Sequence, residues 1–298
     1  MTDIKLKDLR YLIAVADTRH FGRAAERCFV SQPTLSAQLK KLEDYLGVQL
    51  IERHPRRVTL TAAGEQILER ARRIAESSDE IVALAQNHRD PLAGRLRVAL
   101  LPTIGPYVLP QVIPAARKAM PRLELLLYEY RTEPMLELLH AGEIDLGVLA
   151  LPVPLDGLEA RTLYEEPFTV ALPERHRLAA QDSVRVRDLM DENLLLLEEG
   201  HCLRDQALEV CGRITREKQD FRATSLETLR QMVAAGAGIT LMPQLATRGA
   251  YGQARGVEIR PLKPMPTRRI GAVWRRSSAR QAAIKAFCDV MAAKGALA

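Results

Sequence analysis

The segment Ser31–Gly47, SQPTLSAQLKKLEDYLG, carries the clearest fold signal in this chain of 298 residues. Ser31 is a typical helix N-cap, and Pro33 lies near the first turn, where proline is favoured. Four leucines then recur at helical spacing, and a glycine follows at the position where helices commonly end. These leucines are Leu35, Leu39, Leu42 and Leu46. The segment therefore predicts an amphipathic helix that ends at Gly47.

Two shorter helical patterns precede this segment. One face of the first carries Leu9, Leu12, Ile13 and Ala16, and the inner face of the second carries Phe21, Ala24, Ala25 and Cys28. Two short helices with a tight connection predict a helix-turn-helix, whose second helix presents its N-terminal residues to the major groove. The polar side chains there can hydrogen-bond base edges and phosphates. They are Gln32, Thr34, Ser36 and Gln38.

Residues 50–60, LIERHPRRVTL, alternate as a basic β-hairpin does and predict a wing over the DNA phosphates. Arg53, Arg56 and Arg57 are the candidate phosphate contacts. Residues 1–60 hold eleven Lys and Arg against seven Asp and Glu, whereas the whole chain holds 43 against 37. Most of the excess positive charge thus lies in one fifth of the chain, which indicates a nucleic-acid-binding end.

The pattern AxxxFVSQPTLSAQLKKLEDYLGVQLIER, followed by RxVxLTxAG, resembles the N-terminal domain of LysR-type transcriptional regulators. The resemblance implies that Gln32, Pro33, Thr34 and Ser36 face the groove and that Arg53 contacts the DNA backbone. It also implies double-stranded DNA and RNA polymerase as partners, and no cofactor. A small helical bundle without a DNA role is the alternative.

From Thr61 to about His88 the sequence has no proline and a heptad seam of apolar and small residues. The seam consists of Ile67, Ala71, Ile74, Ser78, Ile81 and Ala85. Such a seam needs a partner to cover it, so we expect a linker helix over 61–88 that forms a dimer. Packing of the seam on its own domain is the alternative. Residues 89–94 break the helix and predict a hinge.

Beyond the hinge, apolar strand-like runs alternate with helical stretches, which predicts an α/β domain with a mostly parallel sheet. The strands are expected at 96–100, 123–128, 144–151, 168–172, 194–197, 239–242 and 270–274, and the helices near 107–119, 133–142, 203–214, 225–236 and 278–293. The LysR-type effector domain is similar to periplasmic binding proteins. This resemblance implies two lobes within 95–298, lobe I being 95–165 with 269–298 and lobe II being 166–268. The expected fold is thus a winged helix-turn-helix over 1–60, the linker helix, and a two-lobed periplasmic-binding-protein-like effector domain.

Two of the four cysteines lie in the segment GHCLRDQALEVC, residues 200–211. His201 and Arg204 are basic neighbours of Cys202, and positive charge or a helix N-terminus lowers the pKa of a thiol. In one helix, Cys202 and Cys211 would stand about 13 Å apart along the axis, whereas a disulfide needs Cα atoms within roughly 7 Å. A disulfide between them would therefore force a rearrangement. Two buried cysteines in unrelated packing are the alternative, and that is the expectation for Cys28 and Cys288, which lie on apolar helix faces.

Three segments of the effector half are similar to those of the peroxide-sensing members of the family. They are PTIGPYVLP at 102–110, GHCLRDQALEVC at 200–211 and FRATSLETLRQMVAAGAGITLMP at 221–243. The resemblance implies that hydrogen peroxide oxidises Cys202 and that Cys211 resolves the product to a disulfide. It implies that Thr103, Thr132 and His201 surround the peroxide. Arg204 and Asp205 complete the candidate site, although they equally suit a surface pair; Thr103 also suits a turn, and Thr132 a helix cap.

Other functional classes have weaker support. A LysR-type regulator that senses a small metabolite, with incidental cysteines, remains open. An enzyme is not expected, because no Ser/His/Asp order, phosphate-binding loop or dinucleotide fingerprint occurs, and zinc is not expected, because Cys202 and Cys211 lack the short Cys-x₂₋₄-Cys spacing. No apolar run approaches the roughly 18 to 20 residues of a membrane span. We expect a cytoplasmic homodimer or homotetramer that activates antioxidant genes.

Overall fold

The structure is a computed structural model, and it describes residues 4–54, 57–87, 90–211, 222–248 and 255–295. The chain divides into two compact units. The first comprises Met1–Ala85 with Ala141–Glu143, and the second comprises Gln86–His140 with Ile144–Ala298. No described helix is long and apolar enough to cross a membrane.

The first unit is a winged helix-turn-helix, which confirms the predicted fold class. Its elements are α1 (Leu6–Thr18), α2 (Phe21–Arg27), α3 (Gln32–Leu46), β1 (Ile51–His54), β2 (Arg57–Leu60) and α4 (Ala62–Asn87). The three inward leucines of α3 are fully buried against α1 and α2, and Leu46 packs at the edge of the same core. β1 and β2 pair antiparallel as the wing.

Helix α3 begins and ends as its sequence predicts. The Ser31 hydroxyl accepts a hydrogen bond from the Thr34 amide at 3.3 Å, which satisfies one of the free N–H groups of the first turn. Gly47 closes the helix at a φ of 68°, a left-handed conformation that glycine adopts without strain. The recognition helix is thus fixed at both ends by local contacts.

Contacts around Leu50 join the wing to the helices on either side. The Glu43 carboxylate accepts hydrogen bonds from the amides of Leu50 and Ile51 at 2.8 and 3.1 Å. The Thr61 hydroxyl donates to the Gln49 carbonyl at 2.6 Å and accepts from the Gly64 amide at 2.9 Å. A side chain at 64 would overlap the Leu50 carbonyl oxygen, so this start of α4 requires glycine.

The heptad seam of α4 is covered only at its N-terminal end. Ile67 packs on the core of the unit, and Ala71 is 1% exposed. Further along, Ile74 is 52% exposed and Ile81 is 68% exposed. The side chain of Ala85 lies outside the described set, as do residues 88–89, where the predicted linker helix and hinge meet. The first turns of the seam therefore pack on their own unit, and the apolar face continues uncovered beyond them.

The second unit alternates strands and helices around one large sheet. Its strands are β3 (Gly94–Leu100), β4 (Leu123–Glu129), β5 (Leu146–Leu151), β6 (Leu158–Pro173), β7 (Val184–Arg185), β8 (Leu196–Leu197), β9 (Arg222–Ala223), β10 (Thr240–Pro243), β11 (Val257–Lys263) and β12 (Thr267–Arg275). Its helices are α5 (Gly105–Ala119), α6 (Thr132–His140), α7 (Cys202–Cys211), α8 (Leu226–Ala234) and α9 (Gln281–Gly295).

The large sheet is mixed, which corrects the prediction of a mostly parallel one. Its order is β4-β3-β5-β12-β6-β11-β7, with β10 also paired to β6. β6 pairs antiparallel with β10, β11 and β12, whereas β3 pairs parallel with β4 and β5. β10, β11 and β12 all come from late in the chain, so their direction relative to β6 does not follow from the alternation of strands and helices along the sequence.

Two strands run through the positions predicted as lobe boundaries. The boundary after residue 165 falls inside β6, and the one after residue 268 falls inside β12. β6 has 16 residues, which corresponds to roughly 53 Å of extended chain. Each predicted boundary therefore falls inside a continuous strand, and the two strands pair there, with Glu166 opposite Arg268.

Candidate functional site

The two cysteines of the predicted redox pair are the first and last residues of α7. The helix follows Gly200, whose φ of 88° gives a left-handed backbone conformation that changes the direction of the chain before Cys202. Both thiols are free, and nine residues of helical rise place their Cα atoms about 13 Å apart. The predicted separation is confirmed, although the predicted helix end at 212–214 lies outside the described residues. In this conformation the pair cannot form a disulfide.

Cys202 lies in the walls of two cavities. The smaller cavity has a volume of about 10 Å³. That is about the space of a single water molecule. The cavity is lined by Leu101, Pro102, Thr103, Arg131, Gly200, His201, Cys202 and Leu203. The larger is a cleft of about 980 Å³, and its wall includes Thr132, Asp205 and Arg268. The thiol thus borders both a very small cavity and a large cleft.

His201 is buried and does not supply the positive charge predicted beside Cys202. Burial and the nearby Arg131 guanidinium lower its pKa, which the Glu198 carboxylate only partly opposes. The ring is therefore neutral at pH 7. Its Nε2 atom is buried without a hydrogen-bond partner in the described structure, and the Glu198 carboxylate at 3.9 Å is too distant to bond. A buried ring nitrogen with no partner is free to bind a small polar molecule.

Thr132 is the first residue of α6, and its hydroxyl faces the Cys202 thiol. This contact lowers the pKa of Cys202. The contact does not meet the geometry of a hydrogen bond, so the buried Thr132 hydroxyl has no hydrogen-bond partner within the described ranges. Thr132 therefore does not act as the helix cap that was its alternative role. The Thr132 hydroxyl, like His201 Nε2, therefore keeps unused hydrogen-bonding capacity in the described structure.

The cation that acts on Cys202 is Arg268, which the sequence analysis missed. Arg268 lies on β12, and its side chain is 1% exposed. Its guanidinium donates to the Glu166 carboxylate at 2.8 and 2.9 Å and to the Thr103 hydroxyl and carbonyl at 3.2 and 2.9 Å. The sequence did contain one signal for a buried Arg268: side chains alternate between the two faces of a strand, so Arg268 of β12 shares a face with the buried Ile270.

The pKa of the Cys202 thiol is raised, contrary to the expectation of a thiol activated by basic neighbours. Burial is the largest cause, and the Asp205 carboxylate adds to it. The Arg268 charge and contacts with Thr132 and the Leu203 amide act in the opposite direction without outweighing burial. Because Cys202 is half-buried in a poorly solvated wall, its thiolate is the minor form at pH 7.

Arg204 and Asp205 occupy different surroundings. The Arg204 guanidinium donates to the Leu197 carbonyl at 3.4 Å, and Arg204 is absent from the described linings of both cavities. Asp205 is exposed on the first turn of α7 and faces the larger cleft. Asp205 therefore lies with the candidate site, whereas Arg204 supports the chain that leads into α7.

The other three cysteines are poor nucleophiles in this conformation. Cys211 is 3% exposed in the core, and burial raises its pKa to about 11. Burial likewise raises the pKa of Cys288 to about 12 and that of Cys28 to a lesser extent. Cys202 is the only one of the four in the described wall of either cavity.

The predicted DNA-contacting side chains of α3 lie in the first two turns of the helix. Gln32, Pro33 and Thr34 are exposed, and Ser36 and Gln38 are half-buried. Arg53 and Arg57 lie on β1 and β2 of the wing, but their side chains are not among those described, and Arg56 lies outside the described residues altogether.

Comparison with protein families assigns both units. The model of the bacterial regulatory helix-turn-helix protein, lysR family, matches residues 6–65, and that of the LysR substrate binding domain matches residues 89–296. The chain belongs to the LysR family. The predicted resemblance and fold class are thereby confirmed, since the LysR substrate-binding match covers most of the α/β unit.

Within the LysR family, the chain is similar to proteins named for hydrogen peroxide. It is 44% identical over 276 residues to the DNA-binding transcriptional dual regulator OxyR of Escherichia coli, which is 92% of this chain and 90% of that protein. It is 43% identical over 274 residues to a probable hydrogen peroxide-inducible genes activator of Mycobacterium avium, or 91% and 88% of the two chains.

Solved structures agree over the full length. A full-length OxyR variant from Pseudomonas aeruginosa superimposes with a TM-score of 0.80 at 40% identity, covering 98% of this chain and 95% of that one. A hydrogen-peroxide-bound cysteine-to-serine mutant of Corynebacterium glutamicum OxyR superimposes with a TM-score of 0.68 at 35% identity, covering 99% and 93%.

Proposed function

We propose that this LysR-family protein is a peroxide-responsive transcriptional regulator in which hydrogen peroxide oxidises Cys202 and Cys211 converts the product to a disulfide. The observation that carries the proposal is the setting of Cys202. Its thiol borders both a small cavity, which His201 also lines, and the larger cleft, which Thr132 also lines, and the buried polar atoms of these two side chains have no hydrogen-bond partner among the described residues. The relatives named for hydrogen peroxide support the same assignment.

The first step is attack of the Cys202 thiolate on one oxygen of hydrogen peroxide. The S–O bond forms as the O–O bond breaks, and the departing hydroxide takes a proton to become water, which leaves a sulfenic acid on Cys202. Thr103, Thr132 and His201 orient the peroxide, and the Arg268 charge stabilises the attacking thiolate and the departing oxygen. Because His201 is neutral, it can donate or accept a hydrogen bond to peroxide.

The second step joins Cys202 to Cys211. The Cys211 sulfur attacks the sulfenic sulfur, the S–O bond breaks, and water leaves with the thiol proton. The step needs Cys211 to leave the core, because it is buried at the far end of α7. Formation of the disulfide therefore changes the fold of this region, and we propose that this change is passed to the DNA-binding units and activates antioxidant genes through RNA polymerase.

We propose that the protein acts as a homodimer or homotetramer on double-stranded DNA in the cytoplasm. The uncovered face of α4 at Ile74 and Ile81 fits a second copy of the same helix, because a heptad seam is complementary to itself. Gln32, Pro33, Thr34, Ser36 and Gln38 meet the major groove, and Arg53, Arg56 and Arg57 meet the phosphates. The role is regulatory, in keeping with the LysR family to which the chain belongs.

Peptide mapping after brief treatment with equimolar hydrogen peroxide tests the redox assignment. We expect a Cys202–Cys211 linkage while Cys28 and Cys288 stay reduced, because burial leaves these two with raised pKa values and no cavity access. Cys202→Ser is expected to abolish the linkage. Oxidation of Cys28 or Cys288 before Cys202 would show that the site is assigned to the wrong thiol.

The recognition helix is expected to carry DNA affinity independently of redox sensing. Thr34→Ala or Ser36→Ala should weaken binding at least about fivefold, since a base or phosphate contact is lost, while Cys202 oxidises at the wild-type rate. Binding can be measured on a duplex selected from a random pool by the wild-type protein. Ser277→Ala, an exposed serine of the other unit, is the matched control. Wild-type affinity in both α3 variants would remove these residues from the interface.

The larger cleft favours a second candidate function. A cleft of about 980 Å³ with apolar and charged walls is large enough for a small metabolite, in which case the cysteines would be incidental. DNA footprints of the reduced and oxidised protein separate the two candidates. A footprint that changes with oxidation supports the peroxide sensor, whereas an identical footprint in both states supports the metabolite sensor.

A further inference from the structure

Glu166 is a buried carboxylate that no step of the proposed mechanism uses. It lies on β6, is 2% exposed and stands opposite Arg268 on β12. One carboxylate oxygen accepts from the Arg268 guanidinium, and the other accepts from the Leu245 amide at 3.0 Å. The carboxylate is thus held between two elements and cannot turn away from Arg268.

Arg268 is the positive charge that acts on Cys202, and Glu166 is its ion-pair partner. Arg268 is held in place on one side by Glu166 and on the other by Thr103, which lines the small cavity with Cys202. The cation near the Cys202 thiol is therefore Arg268 with its charge partly cancelled by the adjoining Glu166 carboxylate. In a poorly solvated interior such a cancellation is large, since the field is weakly screened.

We propose that Glu166 is a positioning residue that holds the Arg268 guanidinium against Thr103, in the cleft wall that Arg268 shares with Cys202, and partly offsets its charge. The proposal rests on the assignment of Cys202 as the sensing residue. It predicts that reactivity rises when the carboxylate charge is removed.

The charged residues that line the larger cleft with Cys202 are Glu133, Glu165, Asp205, Glu209, Arg268 and Arg269. Asp205 of α7 opposes the thiolate, Thr132 of α6 favours it, and His201 is neutral, with Arg131 and Glu198 acting on that ring. Removing the charge of Glu166 leaves these groups unchanged and leaves Arg268 uncompensated. The Cys202 thiolate then becomes the counter-ion of Arg268, so ionisation of the thiol is favoured and its pKa falls.

The test is alkylation of Cys202 by iodoacetamide, followed by mass spectrometry between about pH 5.5 and 9.5, because only the thiolate displaces iodide. We expect Glu166→Gln to raise the rate at pH 7 about fivefold or more and to move the midpoint to lower pH. Glutamine keeps the size of the side chain and one acceptor oxygen. An unchanged or slower rate in folded Glu166→Gln protein would overturn the proposal.

The chain offers a matched control on the same two strands. Glu165 and Arg269 are cross-strand neighbours as Glu166 and Arg268 are, but both are exposed. Glu165→Gln therefore makes the same chemical change at a solvent-exposed residue of the same cleft, where water screens the charge, and we expect a wild-type rate profile. A rate increase in Glu165→Gln equal to that in Glu166→Gln would show that general charge is responsible and would also overturn the proposal.

A double variant keeps the test decisive if Glu166→Gln does not fold. Glu166→Gln with Arg268→Gln replaces the ion pair by a neutral, hydrogen-bonding pair, which avoids an uncompensated buried charge. We expect this protein to alkylate more slowly than wild type, since the cation is gone; a wild-type profile would contradict the role of the pair. Alkylation needs no peroxide, so failure of wild-type Cys202 to react with peroxide would reject the proposed function and leave this comparison interpretable.

Discussion

Oxidation by one equivalent of hydrogen peroxide should raise amide hydrogen exchange in α7 about 100-fold or more. In the reduced protein α7 is a single helix, and its ends, Cys202 and Cys211, stand about 13 Å apart. A disulfide requires Cα atoms within roughly 7 Å, so the helix has to unwind and its backbone hydrogen bonds have to open. The measurement is exchange mass spectrometry of peptides that cover 202–211.

Cys211→Ser separates the disulfide from oxidation itself. Cys202 and its surroundings are unchanged in this variant, so the sulfenic acid should form and then persist or over-oxidise. Without a resolving thiol, α7 should keep its reduced-state protection after peroxide. Loss of protection in this variant would place the switch at sulfenic acid formation. Equal protection of oxidised and reduced wild-type protein would exclude a disulfide-driven change in this helix.

The order of events follows from the burial of Cys211. Its thiol lies in the core with a pKa raised to about 11, so it is both inaccessible and protonated while α7 is intact. Local opening has to expose Cys211 before it can attack the sulfenic acid. Resolution should therefore be slower than the first oxidation under conditions that stabilise the helix.

The sequence predicted best those features that depend on short-range contacts. The N-cap at Ser31, the C-cap at Gly47 and the separation of Cys202 from Cys211 each follow from residues within one helix. The clustering of Thr103, Thr132 and Cys202 came from resemblance to the family. Local spacing alone does not show that a turn after β3 meets the starts of α6 and α7.

The electrostatics of the site could not be predicted from neighbours in sequence. His201 adjoins Cys202 but is neutral, because its burial is set by tertiary packing. The effective cation, Arg268, is 66 positions beyond Cys202, and its partner Glu166 is 102 positions from it. The mixed sheet was missed for a similar reason, since β6 recruits β10, β11 and β12 from late in the chain.

Replacing Ile81 or Ile74 by aspartate should convert the protein to monomers and weaken DNA binding about 100-fold or more. Both side chains are more than half exposed on the seam of α4, and a buried charge at a heptad position strongly opposes helix pairing. A monomer holds one recognition helix, so it loses the effective-concentration gain of a second half-site, which is worth roughly 100- to 10,000-fold.

Sedimentation and DNA binding to the selected duplex measure the two effects together. Gln66→Asp adds the same charge at an exposed position of α4 outside the seam and should leave both unchanged. If the Ile74 and Ile81 variants remain dimeric with full affinity, the seam is not the contact between copies, and its apolar face packs within one chain. If they are monomeric but keep full affinity, one recognition helix is sufficient, and disulfide formation would then have to act within a single protomer.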